Sequence, residues 1–437
     1  MFSWKIGERL MVFIHDFDTI KESFKSIDLV YRPQVEYLTF IIGNFHQGLL
    51  LANGPYWHSL RRFTLRHLRD LGMGKSRLVT SVQYEASELV NSMKKTAGEA
   101  KPISSDLRVA VINVIWQMVA SKRFEFDEVQ VLRYDNALAK YAATFEWVTL
   151  VDIFPSMKSI LPRPLLNILT KRNDHEHLMD VLKSHVKTSI DEHAKTLDIN
   201  NPRDYIDEFL IEIKKEKNSK TGLTLSEKDL IVCLADIFGA AFQTTATTMI
   251  WGLFYLAKFP DVQKRMQKEI DEILPNGTQV TLEDKLRLPY TEAFINEVLR
   301  YSVINRFILP RTVIKDTKIG EYIVPKDSVI FGFTEAVHFD SKHYDSPTQF
   351  RPERFLNDAG KFEAPKEGFL AFGIGRRLCM GESLSRMELL IFLTTLVQHL
   401  EFSPPEGETI ELESANVPVL NMPNFNQKIL ISVRKTD

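Results

Sequence analysis

The residue types best suited to chemistry gather late in the chain, in Phe372-Gly-Ile-Gly375-Arg-Arg377-Leu-Cys379-Met-Gly381-Glu382, which runs into the apolar-periodic stretch from Ser383 to Phe392. A cysteine therefore stands where a glycine-bearing loop enters a predicted helix, with arginines two and three residues before it. The thiolate is the form that binds metals, and a helix N-terminus favours it through free N–H groups and the helix dipole. Gly375 and Gly381 leave the backbone free to turn sharply or to approach a flat ligand. The pattern predicts a single-thiolate metal or cofactor site. Two other readings stand beside it: a nucleophilic cysteine, which needs a histidine base nearby in space, and a small buried hydrophobe.

Three further constellations carry chemistry. Glu297 and Arg300 stand three apart on one predicted helix face, a spacing that on a surface is worth only about 0–1 kcal/mol; Phe350-Arg-Pro-Glu-Arg354-Phe355 follows. Trp57-His-Ser-Leu-Arg61 opens a helix rich in arginine (Arg61, Arg62, Arg66, Arg69). Phe238-Gly-Ala240-Ala241-Phe-Gln243-Thr244-Thr245 lies within the most apolar long segment. Gly72-Met-Gly-Lys75-Ser76 fails as a phosphate loop, because Arg69 stands where that motif needs glycine.

Phe372, Gly375, Arg377, Cys379 and Gly381 match every fixed position of FxxGxRxCxG, the haem-binding signature of the cytochrome P450 family. The chain resembles that family from Trp4 to its last strand. Its animal microsomal branch is resembled through Leu-Arg-Asp-Leu-Gly-Met-Gly-Lys75 and Asn201-Pro-Arg-Asp-Tyr-Ile-Asp-Glu-Phe-Leu210. The resemblance implies a mainly α fold with a minor β part, a triangular helical prism with small sheets, as a single catalytic domain over residues 1–437. It implies haem b with Cys379 as the axial metal ligand. Trp57, Arg61, Arg311, Arg377, Phe372, Gly375 and Gly381 are then cofactor-binding, with Arg32 a further candidate for a haem propionate. Glu297, Arg300 and Arg354 become a buried structural network behind the cysteine loop. Phe238, Ala240, Ala241, Val303, Phe307 and Val419 line the substrate pocket, while Thr244 and Gln243 are catalytic. Arg306, in the same series, either anchors a substrate carboxylate or points to solvent.

The implied reaction inserts one O2-derived oxygen atom into an apolar substrate (a xenobiotic, steroid or fatty-acid-like molecule). Electrons come from NADPH through NADPH–cytochrome P450 reductase, with cytochrome b5 a second partner. Family members usually carry an acid where this chain has Gln243 and a second glycine where it has Ala241. Glutamine orients water but does not cycle a proton, so slower proton delivery to oxygen is expected. The alternatives are a P450-fold isomerase or dehydratase that needs no reductase, and a haem-binding paralogue without catalysis.

Ten helical stretches must position these residues: Ile20 to Phe24, Pro55 to Asp70, Ser76 to Ala97, Asp106 to Ser121, Val129 to Trp147, Leu165 to Leu197, Asp204 to Lys215, Ser226 to Lys258, Pro260 to Ile273 and Tyr290 to Tyr301. Strands are expected over Trp4 to Ile14, around Thr317 to Ile330, and from Lys428 to Val433. Lys214 to Lys220 reads as a solvated loop. The 437 residues are 44% hydrophobic, enough for a large core, and a formal charge of −2 gives no reason to propose nucleic acid. Two cysteines, Cys233 and Cys379, far apart, argue against a disulfide framework and for a reducing environment. No window is read as long and apolar enough to span a bilayer. The family's N-terminal anchor and hinge are not found, so the resemblance implies the cytoplasmic face of the endoplasmic reticulum membrane while the chain itself is expected to be cytoplasmic or peripherally bound. Ile153 to Leu166, apolar with Lys158 and Arg163, suits an interfacial loop.

Overall fold

The computed structural model describes residues 1–34, 47–129, 156–170, 172–216, 225–415 and 420–435, together with positions 131, 133, 151 and 154. The expected helix from Val129 to Trp147 and the end of the Lys214 to Lys220 loop fall largely outside these residues, as does Val419.

At the amino end, Phe2–Ile6 (β1) and Arg9–Ile14 (β2) form an antiparallel hairpin where a single strand was expected. Gly7, at φ 59°, supplies the left-handed turn that divides them. Phe17–Lys25 (α1) follows, its first turn closed by Asp16, whose carboxylate accepts from Thr19 N at 2.8 Å. Next come Gly54–Asp70 (α2), Ser76–Lys95 (α3), the short strand Ala100–Pro102 (β3) and Asp106–Ala120 (α4). The predicted helix from Leu165 to Leu197 is two, with Met157–Ile160 (α5) before them: Arg163–Leu169 (α6) and Arg172–Thr196 (α7). Thr170 ends α6, its hydroxyl and its N–H both turned back onto Leu166 C=O at 2.8 and 2.9 Å.

Tyr205–Glu216 (α8) leads to Glu227–Lys258 (α9), the longest described helix. Ser226 and Asp229 start it with reciprocal side-chain-to-backbone bonds, a capping box. From Leu230 to Ala257 most of its residues are buried, because apolar side chains occur on every face. By length and composition alone α9 is long and apolar enough to cross a membrane, which corrects the sequence reading. In the fold it is packed among α4, α8, Pro260–Ile273 (α10) and Pro289–Ser302 (α11). Burying Trp251 and Phe254 fully on it contributes about 1.5–3 kcal/mol for each side chain.

The segment expected as strand around Thr317 to Ile330 resolves into Thr317–Ile319 (β5), Tyr322–Val324 (β6) and Val329–Phe333 (β7), preceded by an unforeseen strand, Phe307–Thr312 (β4). The largest sheet has the order β1-β2-β7-β4, with β2 and β7 parallel and the other pairs antiparallel. After Thr334–His338 (α12) and Glu382–His399 (α13) come Leu400–Ser403 (β8), Ser414–Ala415 (β9), Met422–Pro423 (β10) and Lys428–Val433 (β11). β3, β11 and β8 make a second sheet, and β9 pairs β10. The result is a helical body around α9 with small sheets at its edges.

Candidate active site

The cysteine loop is shaped by its own backbone. Gly373 N donates to Leu370 C=O at 2.9 Å, Leu378 N to Gly375 C=O at 3.0 Å, and Cys379 N to Phe372 C=O at 3.0 Å. Gly375 sits at φ 79°, and a β-carbon there would lie 2.0 Å from the Phe24 carbonyl oxygen at the end of α1. No side chain fits. Gly381 differs from expectation: its φ of −87° is open to any residue, and it serves as the position before α13, beside the Cys379 sulfur. Gly373, at φ 75°, is the second left-handed turn and was not singled out in the sequence.

Cys379 is exposed at its own surface although its thiol is set deep among protein atoms. Burial pushes the thiol up; the N–H groups of Gly381 and Glu382 and the charge of Arg61 oppose the rise, and Glu382 adds to it. The helix-start donors expected for a thiolate are therefore in place. Cys233, the other cysteine, is buried in α9 and held strongly as the thiol.

Four arginines converge near this loop. Arg61, on α2, donates to the carbonyl of Leu378, the residue before the cysteine. Arg377 packs its guanidinium 3.6 Å from the centre of the Trp57 ring and donates to Val30 C=O at 3.0 Å, Asn53 Oδ1 at 3.1 Å and Ala52 C=O. Arg32, the weaker candidate, is buried and donates to Leu50, Leu309 and Pro310 carbonyls at 3.1, 2.6 and 2.8 Å. The indole N–H of Trp57 is donated to Leu49 C=O at 3.0 Å, and its ring face supports the Arg377 guanidinium. Arg311 is 1% exposed, yet among the described residues its Nε and Nη1 have no hydrogen-bond partner.

Burial, and then repulsion among these cations, pushes Arg32 down to about 9 and Arg311 and Arg377 each to about 8. Among the described residues, no carboxylate is a hydrogen-bond partner of these four arginines. Gathered cations with an orphaned buried guanidinium call for a bound polyanion. The two carboxylates of haem b would answer that need and the Cys379 sulfur would hold its iron, so the residues present fit this cofactor.

Behind the loop, Glu297 and Arg300 on α11 form a fully buried bidentate pair at 2.7 and 2.7 Å. The other donors of Arg300 reach the carbonyls of His338, Pro347 and Gln349 at 2.8, 2.9 and 3.3 Å. Arg354 reaches Glu297 at 3.1 Å and the carbonyls of Asp345, Ser346 and Gln349. His338 was missed by sequence reasoning. Its Nδ1 faces Arg300 C=O at 2.9 Å and its Nε2 accepts Leu370 N at 2.8 Å, which carries the network to the base of the cysteine loop. Burial pushes His338 down to about 3, so it stays neutral and can accept that N–H.

On α9, Ala240 and Thr244 are exposed, one turn apart, on a helix otherwise buried or half-buried from Asp229 to Ala257. Thr244 Oγ1 donates to Ala240 C=O at 2.8 Å. Thr245 Oγ1, next along, donates to Ser385 Oγ at 3.1 Å and so ties this turn to α13 just beyond the cysteine. Gln243 directs its amide to Thr247 Oγ1 at 3.3 Å and towards the Met422 sulfur at 3.8 Å. Of the expected pocket residues, Ala241 is half-buried, and Phe238 and Val303 are buried, Val303 in a left-handed conformation at φ 39°. Phe307 stacks on Phe333 at 4.6 Å in the aromatic row of the first sheet. Arg306 donates to Ser414 Oγ at 2.9 Å.

The fold and site together define a mainly helical protein built to seat haem on a cysteine thiolate. The sequence matches the family profile described as Cytochrome P450 over residues 1–430. It is 36% identical over 415 residues to Cytochrome P450 2L1 of Panulirus argus, covering 94% of this chain and 83% of that protein. It is 33% identical over 425 residues to Cytochrome P450 2C23 of Rattus norvegicus, covering 95% and 83%. With Cytochrome P450 2E1 of Mus musculus it is 30% identical over 426 residues, covering 97% and 84%. The chain belongs to the cytochrome P450 family and is a haem-thiolate monooxygenase.

Proposed function

We propose that the chain, as one catalytic domain, oxidises small apolar molecules, with Cys379 as the residue that would hold the haem iron. The observation that carries this reading is the pair of exposed α9 residues, Ala240 and Thr244, tied to the cysteine helix through the Thr245–Ser385 hydrogen bond. When bound, haem supplies oxygen activation, with the thiolate's electron donation favouring O–O cleavage. The chain's residues do the rest. Arg32, Arg61, Arg311 and Arg377 hold the cofactor's carboxylates, while Glu297, Arg300 and Arg354 fix the loop that presents the sulfur. The Thr244 hydroxyl, bonded back to its own helix, orients water for proton delivery. Gln243 holds no exchangeable acid proton, so delivery relies on ordered water.

Electrons are supplied by NADPH through a reductase, with cytochrome b5 a second donor. The support is a cationic surface: Arg62, Arg66 and Arg69 on α2 are exposed, with exposed Arg376 of the cysteine loop beside them. Such a surface suits an acidic partner. Association with the endoplasmic reticulum membrane is supported by exposed Ile160, Leu165 and Ile168 on α5 and α6. The deciding experiment is the reduced-CO spectrum of the haem-loaded protein, followed by NADPH consumption and product formation with purified reductase. A thiolate-type band with reductase-driven product supports the monooxygenase reading. The same band without such turnover favours a reductase-independent isomerase or dehydratase, or a haem-binding paralogue without catalysis.

A further inference from the structure

The backbone of Leu49 and Leu50 is used on both sides. Their carbonyls face the arginine cluster: Leu49 C=O accepts Trp57 Nε1 at 3.0 Å and Arg377 Nη1 at 3.4 Å, and Leu50 C=O accepts Arg32 Nε at 3.1 Å and Arg377 Nη1 at 3.4 Å. Their N–H groups face the opposite way, onto one carboxylate oxygen of α9, Asp236 Oδ2, at 2.7 and 3.0 Å. The approach is possible only because residue 48 is glycine. At φ 84°, a β-carbon on Gly48 would lie 2.5 Å from that same oxygen and 2.6 Å from the Val232 side chain. A second tie lies nearby, where Gly48 N meets the Tyr56 hydroxyl at 3.4 Å and that hydroxyl donates to Asp229 Oδ1 at 2.6 Å.

We propose that Asp236 and Gly48 form a latch that presses the segment from Gly48 to Asn53 against the arginine cluster, making Asp236 a positioning residue for the carboxylate-binding end of the cofactor site. The inference rests on reading that cluster as the propionate-binding end. By accepting the Leu50 N–H, the carboxylate polarises the peptide that joins Leu49 to Leu50 and so strengthens the Leu49 carbonyl facing Trp57 and Arg377, while its bond to the Leu49 N–H fixes the position of the segment. Asp236 acts through Leu49 and Leu50, whose N–H groups it accepts. Burial pushes its carboxyl up to about 6 against the pull of the Leu50 and Leu49 N–H groups. A neutral amide, which keeps an acceptor oxygen, therefore suits the position.

The test is the rate at which the haem-loaded protein gives up haem to excess apomyoglobin, with thermal unfolding followed in parallel. Gly48→Ala and Asp236→Ala are each expected to speed transfer about tenfold, the equivalent of one or two lost hydrogen bonds. Because both open one latch, the double variant is expected to be no faster than the worse single. Asp236→Asn is expected to keep the haem about as tightly as the parent, a rescue that bulk packing loss would not give. Effects that multiply in the double variant, or an Asn variant as leaky as Ala, overturn the latch. Arg377→Leu distinguishes the underlying site: if it also leaves transfer unchanged, the cluster does not bind propionates. Fast loss in Arg377→Leu with unchanged Gly48 and Asp236 variants sinks the latch alone.

Discussion

The sulfur of Cys379 and the hydroxyl of Thr244 are the two atoms on which the proposed chemistry turns, and each is set by neighbours that substitution can probe. Exchange of Cys379 for histidine in fully loaded protein is expected to move the absorbance spectrum; an unchanged spectrum would show that this sulfur is not the ligand. Gln243→Glu restores an acid one residue before Thr244 and is expected to raise product formed per NADPH while leaving substrate affinity near the parent value. Measured coupling that does not rise means proton delivery bypasses this position. The family was legible because five fixed residues within ten positions, Phe372 to Gly381, leave little freedom. His338 and Gly373 were not legible, since a histidine that relays a hydrogen bond to Leu370 N has no spacing rule to announce it.

α11 matters through its buried ion pair, which departs from the surface value of about 0–1 kcal/mol that its sequence spacing suggests. Glu297 and Arg300 are fully buried, and every donor of Arg300 has an acceptor. Removing one partner strands the other, so Glu297→Ala is expected to cost about 3–5 kcal/mol and to abolish haem incorporation, as read by pigment yield and unfolding. A second ion pair links α7 to the start of α8: His193 Nε2 meets Asp204 Oδ2 at 2.8 Å and its Nδ1 meets Ser189 C=O at 2.7 Å. Both ring nitrogens face acceptors, which suits an imidazolium and leaves no lone pair for a metal beside Asp204 and Asp207. Burial works against that charge, but the Asp204 hydrogen bond and charge outweigh it and raise the histidine. Its contribution to stability is thus complete below about pH 6.5, the unfolded value, and is lost as pH rises through the higher folded value. Thermal unfolding from pH 6 to 9 is expected to show this loss in the parent and not in His193→Gln.

Across the whole molecule, charge is divided by location more than by amount. The formal charge of −2 conceals a cationic face formed by Arg62, Arg66, Arg69 and Arg376. Arg62→Glu with Arg66→Glu is expected to lower reductase-driven turnover severalfold at low salt, the difference shrinking as ionic strength shortens the Debye length below about 8 Å. Turnover indifferent to both changes removes the docking role. At this scale the helical class and the central helix were readable from periodicity, because a long segment that is apolar on all faces has few places to go. The sheet was harder to read. β4 carries Pro310 and pairs irregularly between Ile308 and Arg311, which hides its alternation, and β5 and β6 are three residues each, too short to register. α9 shows the limit of composition, which does not separate a buried core helix from one that meets lipid.

One contact joins the first helix to the cysteine loop. Gly375 lies against the last turn of α1, with room for a hydrogen and nothing larger between it and the Phe24 carbonyl. A fusion, tether or distortion that drags on the first twenty-five residues is therefore expected to reach the cysteine loop and to be read as a shift in the pigment band of the loaded protein.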